Sequence, residues 1–292
     1  MVVRQTILVT GSNGQLGMEL RQLASNYPEY KFIFSTRDEF NIADAGSVNG
    51  FFRLTSPSYC INCAAYTAVD KAESEPDEAF LTNGKAPGVF AAACAANNTR
   101  FIHISTDYVF DGTATSPYTD QSPTNPVSVY GKSKLAGENN VLKENREAII
   151  IRTAWFYSSF GKNFVKTMLR LMNERTSIGV VNDQVGSPTY AADLANAILK
   201  IISSTEWEPG VYHFTNKGII TWFDFANAIK ELINSSCIIN PITTVQYPTP
   251  AKRPAYSVLD SSKLSSIYHI PLIDWRESLG VCLMKIKQQD NG

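Results

Sequence analysis

Histidine is scarce in this chain, and charge of either sign is balanced. The three histidines, His103, His213 and His269, stand far apart, which argues against a histidine-based metal centre. Lys plus Arg number 26 against 27 Asp plus Glu, a net charge of −1, so no broad basic field exists for nucleic acid or an anionic membrane. No apolar run approaches the ~20 residues of a membrane span. The N-terminal "MVVRQTILVTG" enters a strand-like run and a glycine turn at once, without the long apolar core of a signal peptide, and reads as cytoplasmic. Cysteines are five, an odd number. Cys60 and Cys63 form a C-x-x-C, but redox pairs of this kind open helices, and "YCINCAAY" is a short apolar run. These are read as core thiols.

What is present is ordinary for a globular chain with a real core: 44% apolar and 18% charged residues over 292 positions. That length fits one large domain or two intimate ones. "TILVT" (6–10), "KFIFS" (31–35), "YCINCA" (59–64), "RFIHIS" (100–105) and "AIIIRTA" (148–154) are apolar runs separated by helical patterns. One such pattern opens on Asp44 as N-cap; another runs from about Asp77 to Asn97. Continuous rather than alternating apolar runs point to strands covered on both faces. The expected fold is therefore α/β, a Rossmann-type doubly wound parallel sheet with right-handed crossovers. After residue 155 loops lengthen and prolines collect, with helical patterns near 163–174, 190–203 and 221–234 and a strand at "VYHFT" (211–215). The expected division is a dinucleotide-binding domain over 1–155, to which about 190–216 returns, and a smaller mixed α/β substrate domain over about 156–189 and 217–292.

"VTGSNGQLG" (9–17) links the first strand to the first helix. Gly11, Gly14 and Gly17 fit a tight turn, a close approach to a pyrophosphate and helix–strand packing, with the anion on free N–H groups at the helix start. After the second strand, "FSTRDEF" (34–40) offers Ser35, Thr36 and Arg37, which suit the 2′-phosphate of NADPH. Asp38 or Glu39 reaching a ribose keeps NADH open.

"HISTDYVFDG" (103–112) puts Ser105, Thr106 and Asp107 at a strand's C-terminal end, where open α/β sheets place ligands. In "VYGKSKLAGE" (129–138), Tyr130 and Lys134 are four apart and share a helix face. They are either a solvated pair or a proton-donating pair. A phenol with an ordinary pKa of ~10 donates more readily when a nearby ammonium favours its phenolate. Reduction of a ketone needs such a donor, and Thr106 can fix the substrate oxygen.

Taken together, "TGSNGQLG", "STDYVFDG" and "YGKSKLAGE" resemble the extended short-chain dehydrogenases/reductases. "NCAAYTAVDKAESEP", "RTAWFY", "NFVKTMLRL", "VNDQVGSPTYAADLA" and "TPAKRP" narrow the resemblance to the dTDP-4-dehydrorhamnose reductase family, over about residues 5–285. The resemblance implies NAD(P)H-dependent reduction of a dTDP-4-keto-6-deoxy-sugar to dTDP-L-rhamnose, with Thr106, Tyr130 and Lys134 catalytic. It implies Gly14, Gln15 and Leu16 at the pyrophosphate, Asn41 and Ile42 at the adenine, and Ala64, Ala65 and Tyr66 along the cofactor. Val69, Asp107 and Trp155 would meet the sugar, an aromatic face suiting a deoxyhexose. Gln184 would meet the nucleotide, and Lys252 and Arg253 the diphosphate. Some relatives dimerise around magnesium held by acidic residues. Here Glu19 is present but Ala192 stands where a glutamate would help, so no bound metal and a monomer or weak homodimer are expected. Two alternatives share the motifs: another nucleotide-sugar reductase or epimerase, and a non-catalytic regulatory subunit of methionine adenosyltransferase.

Overall fold

The computed structural model describes residues 4–39 and 41–290; residues 1–3 of the N-terminal run, Phe40 of "FSTRDEF" and residues 291–292 lie outside it. Six strands form one parallel sheet: β1 (Gln5–Thr10), β2 (Tyr30–Phe34), β3 (Tyr59–Asn62), β4 (Arg100–Thr106), β5 (Ile149–Thr153) and the strand Gly210–His213. Across the sheet the order is Gly210–His213, β5, β4, β3, β1, β2. The chain leaves β1 outward to β2 and then returns past β1 to β3. The order therefore reverses between β1 and β3, and a crevice opens at their C-terminal ends.

Burial explains the continuous apolar runs. Ile7, Leu8 and Val9 are all fully buried because both faces are covered. Ile7, Val9, Ile61, Ile102 and Ile149 meet Leu16 and Leu20 of the helix α1 (Gln15–Leu23), together with Leu194 and Ile198 of the helix Ala191–Ser203. Leu8, Cys60, Phe101 and Ile150 face the opposite way. There they meet Val48 and Phe52 of α2 (Ala45–Thr55), Phe90, and Val141 of the helix Val129–Glu144. Each fully buried aliphatic contributes about 1.5–3 kcal/mol. Asp44 caps α2 as expected, accepting from the Ser47 N–H at 2.7 Å.

The expected helix over 77–97 is interrupted. Helix Pro76–Ala79 passes into a π-helical turn, Phe80–Lys85, before Ala86–Ala96. Pro87 has no N–H for the Asn83 carbonyl, and its ring crowds that carbonyl, so the ladder widens there.

A second core gathers Tyr157, Val165, Met168, Ile178, Phe225, Ile229 and Leu279 away from the sheet. Its elements include the helices Phe164–Glu174, Trp222–Leu232 and Trp275–Asp290 and a parallel pair, Ser177–Val181 with Ile238–Ile242. Among the described residues, no helix is long and apolar enough to cross a membrane.

Candidate active site

A cleft of ≈1190 Å³ opens where the strand order reverses and extends toward the second core. The glycine loop forms its floor. Gly11 has φ +63°, and a Cβ there would lie 2.6 Å from the Ala64 backbone, so only glycine lets the loops after β1 and β3 meet. Gly14 caps α1 without a side chain, and its N–H bonds the Gly11 carbonyl at 2.9 Å. The first N–H groups of α1, from Gln15 to Gly17, are those a helix leaves without partners, so the loop can cradle a phosphate. Gly17 itself does not line the cleft; a Cβ there would strike the Ser12 backbone. Gly11, Gly14, Gln15, Leu16, Arg37, Asn41, Ile42, Ala64, Ala65 and Tyr66 all do line it. The Gln15 side chain is occupied, accepting from Asn163 Nδ2 at 2.9 Å.

Beneath this floor Asn62 ties three strands together. Its Oδ1 accepts from Thr10 Oγ1 (2.7 Å) and the Ala64 N–H (3.3 Å), while its Nδ2 meets His103 Nδ1 at 3.1 Å.

Thr106 ends β4, and Tyr130 and Lys134 lie on the helix Val129–Glu144; all three line the cleft. The helix carries little apolar stripe because its buried face is small and polar: Gly131, Ser133, Lys134, Gly137 and Glu138. Those glycines let it approach the Tyr108 and Asn83 carbonyls closely, leaving no room for a Cβ. Asn83 Nδ2 donates to Tyr66 O (2.9 Å) and Ser133 Oγ (3.0 Å), joining the cofactor side to the helix.

Burial pushes the Tyr130 phenol up to about 12; the Thr106 hydroxyl, hydrogen-bonded to it, pulls the other way, and Asp107 adds to the rise. The lowering of the phenol by Lys134 that the sequence suggested is therefore not seen. The Lys134 ammonium donates to the Ile104 carbonyl at 2.6 Å, and its field falls on Cys63 and His103 rather than on the phenol. Burial lowers Lys134 to about 8, opposed by the negative charge of Glu138. Thr106 Oγ1 donates to Asp107 Oδ1 at 2.9 Å. Burial raises Asp107 to about 6 against the hydroxyls of Thr106 and Ser257, and its Oδ2 has no partner among the described residues. Behind them, buried Glu138 accepts from Arg152 Nε (2.9 Å) and Nη2 (2.6 Å) and from the Ser105 hydroxyl.

At the far end, Val69, Asp107, Trp155, Gln184 and Arg253 line the cleft. Two of them are less free than the sequence implies. One face of Trp155 is stacked on Trp222 (3.6 Å between centroids, 9° between planes). Arg253 is held by Asp70 through both terminal nitrogens, at 3.1 and 2.9 Å. Lys252 is exposed and is not among the wall residues. Gln184 donates to Thr244 Oγ1 at 3.0 Å. Glu19 is buried, accepting from Ser158 Oγ at 2.6 Å with Lys285 Nζ at 3.5 Å.

Sequence reasoning passed over Asn62, Asp70, Asn83, Glu138 and Trp222. Glu138 stands four residues after Lys134, a spacing that puts them on one face. The others act mainly through partners distant in the chain.

The chain matches the family model described as "RmlD substrate binding domain" over residues 5–288. It is 43% identical over 274 residues to the spore coat polysaccharide biosynthesis protein SpsK of Bacillus subtilis (strain 168), covering 94% of this chain and 95% of that one. It is 39% identical over 283 residues to the dTDP-4-dehydrorhamnose reductase of Aggregatibacter actinomycetemcomitans, covering 94% and 96%. Among solved structures, the dTDP-4-dehydrorhamnose reductase of Bacillus anthracis str. Ames in complex with NADP aligns with a TM-score of 0.93 at 36% identity, covering 97% of this chain and 100% of that one.

Proposed function

Since this chain belongs to the RmlD substrate binding domain family, we propose that it catalyses NADPH-dependent reduction of the 4-keto group of dTDP-4-dehydro-L-rhamnose, giving dTDP-L-rhamnose. The observation that carries this reading is the convergence of Thr106, Tyr130 and Lys134 on the cleft that also contains the glycine loop. NADP in the B. anthracis relative supports the choice of cofactor, as does Arg37 beside Thr36 at the cleft's edge, where a guanidinium suits a 2′-phosphate. NADH, lacking that phosphate, is the weaker alternative. The sheet then serves the cofactor and the second core the sugar nucleotide.

When bound, the nicotinamide supplies hydride to the carbonyl carbon. The protein's part is the oxygen. With its pKa at about 12, Tyr130 is fully protonated at neutral pH and keeps its proton until an alkoxide develops. Thr106 is placed to hydrogen-bond the same oxygen and fix its direction. The Lys134 ammonium, next to the cofactor wall, would hold a ribose hydroxyl of the bound cofactor. Trp155, through its uncovered face or edge, packs against the deoxyhexose. Arg253 faces the diphosphate, and Gln184 the nucleotide.

The test is turnover of the dTDP-4-keto-sugar with NADPH by the wild type and by Tyr130→Phe. Loss of the proton donor alone is expected to lower kcat by about 10²–10⁴-fold while NADPH still binds. Near-normal turnover sinks the assignment.

A further inference from the structure

The one-turn helix Val69–Ala72 and the residue after it, Glu73, touch both ends of the site. Val69 lines the cleft. Asp70 reaches toward the second half of the chain: Oδ1 accepts from Arg253 Nη1 (3.1 Å) and from the Ala251 N–H (3.2 Å), and Oδ2 accepts from Arg253 Nη2 (2.9 Å). Glu73 reaches the other way, its Oε1 accepting from the Val129 N–H at 2.8 Å.

Each contact answers a need. The helix Val129–Glu144 has no acidic residue in its first turn. Its start is capped by Ser128, which accepts from the Gly131 N–H at 3.1 Å, leaving the Val129 N–H for another acceptor. Glu73, 56 residues earlier, supplies both that acceptor and the negative charge a helix N-terminus favours. Tyr130 is the next residue. Arg253 has five N–H donors, and Asp70 takes one from each terminal nitrogen. The guanidinium plane is thereby fixed while further donors remain for an anion in the cleft.

We propose that Asp70 and Glu73 are positioning residues of this site: Asp70 orients Arg253 for the diphosphate of the substrate, and Glu73 fixes the start of the helix that presents Tyr130. The Asp70 half rests on the nucleotide-sugar reading above. The two carboxylates act on different kinetic constants. Anion binding by Arg253 is shared by ground and transition states, so Asp70 governs KM. Placement of the proton donor matters only as the oxygen takes charge, so Glu73 governs kcat.

The experiment compares wild type, Asp70→Ala, Asp70→Asn, Glu73→Ala and Glu73→Gln by steady-state kinetics, dTDP inhibition and NADPH binding. In Asp70→Ala, KM for the sugar nucleotide and the inhibition constant of dTDP both rise, on the order of tenfold, with kcat within about twofold. Asp70→Asn, which keeps one acceptor oxygen and most of the side-chain volume, falls between this variant and the wild type. In Glu73→Ala, kcat falls on the order of tenfold with KM little changed. Glu73→Gln, which keeps the acceptor for the Val129 N–H, recovers most of that loss. NADPH affinity stays the same throughout. If dTDP inhibits the wild type and both Asp70 variants equally, or if Glu73→Gln is as impaired as Glu73→Ala, the proposal is overturned while the substrate reading stands. Wild-type protein that binds no dTDP overturns the nucleotide-sugar reading and the Asp70 half with it.

Discussion

Replacing Asp107 with asparagine should make the protein more stable at neutral pH, and the structure gives the size of the gain. The carboxyl is 2% exposed, its Oδ2 has no partner among the described residues, and burial lifts it from 3.8 to about 6. Because the folded pKa lies above the unfolded one, the native state holds the proton more tightly between these values. Stability is therefore highest below the unfolded value and is lost as pH rises through the folded one. At about 1.4 kcal/mol for each tenfold change in the ionisation constant, the loss is about 3 kcal/mol by pH 7. A neutral amide in place of the carboxyl would carry no such penalty, while its carbonyl still accepts from Thr106. Urea unfolding of the wild type and Asp107→Asn at pH 4, 5, 6 and 7 should give near-equal stabilities at pH 4 and a gap that opens toward about 3 kcal/mol at pH 7. A gap that is constant with pH, or a variant less stable at pH 7, would refute the reasoning. Turnover should meanwhile fall under the proposed function, in which Asp107 meets the sugar.

Other perturbations separate the remaining groups. Arg37→Ala should weaken NADPH by about tenfold or more and NADH much less, in line with loss of a charge-assisted contact; equal effects on both cofactors in fluorescence titrations would exclude the 2′-phosphate role. Lys134 loses its proton near pH 8, so NADPH affinity should decline as pH rises through 8 in the wild type but stay flat, and lower, in Lys134→Gln. Glu138→Gln strands the guanidinium of Arg152, which is 5% exposed and whose Nη1 already has no partner among the described residues. A loss of about 3–5 kcal/mol in urea unfolding is expected.

Features carried by neighbours in sequence could be read directly from it. The five apolar runs became β1 to β5, and "VYHFT" became the strand Gly210–His213, which returned to the sheet. The glycine loop and the i, i+4 pair in "VYGKSKLAGE" reached one cleft because strand ends and helix starts gather where the sheet order reverses. What could not be read depends on partners far apart in the chain. Pro241 argues locally against a strand, yet Ile238–Ile242 is one, pairing on only one side with Ser177–Val181. Trp275–Asp290 hides its helical pattern because its inward face is narrow, mainly Leu279, Cys282 and Ile286. The expected effect of Lys134 on Tyr130 failed for a related reason. Sharing a helix face did not fix where a long side chain ends, and the Ile104 carbonyl holds the ammonium. Trp155 likewise gave no sign that Trp222, 67 positions later, would cover one of its faces.

The return of Gly210–His213 to the side of β5 has a consequence for the making of the protein. Its register partner for Arg152 is His213, 61 residues later. At about 5–20 residues per second, β5 waits on the order of 3–12 s on the ribosome with one edge unpaired. Such an edge invites pairing with another chain, and a charged side chain on it discourages that. Arg152 sits on that edge. In the finished fold that edge is closed by Gly210–His213, and the guanidinium is taken up by Glu138.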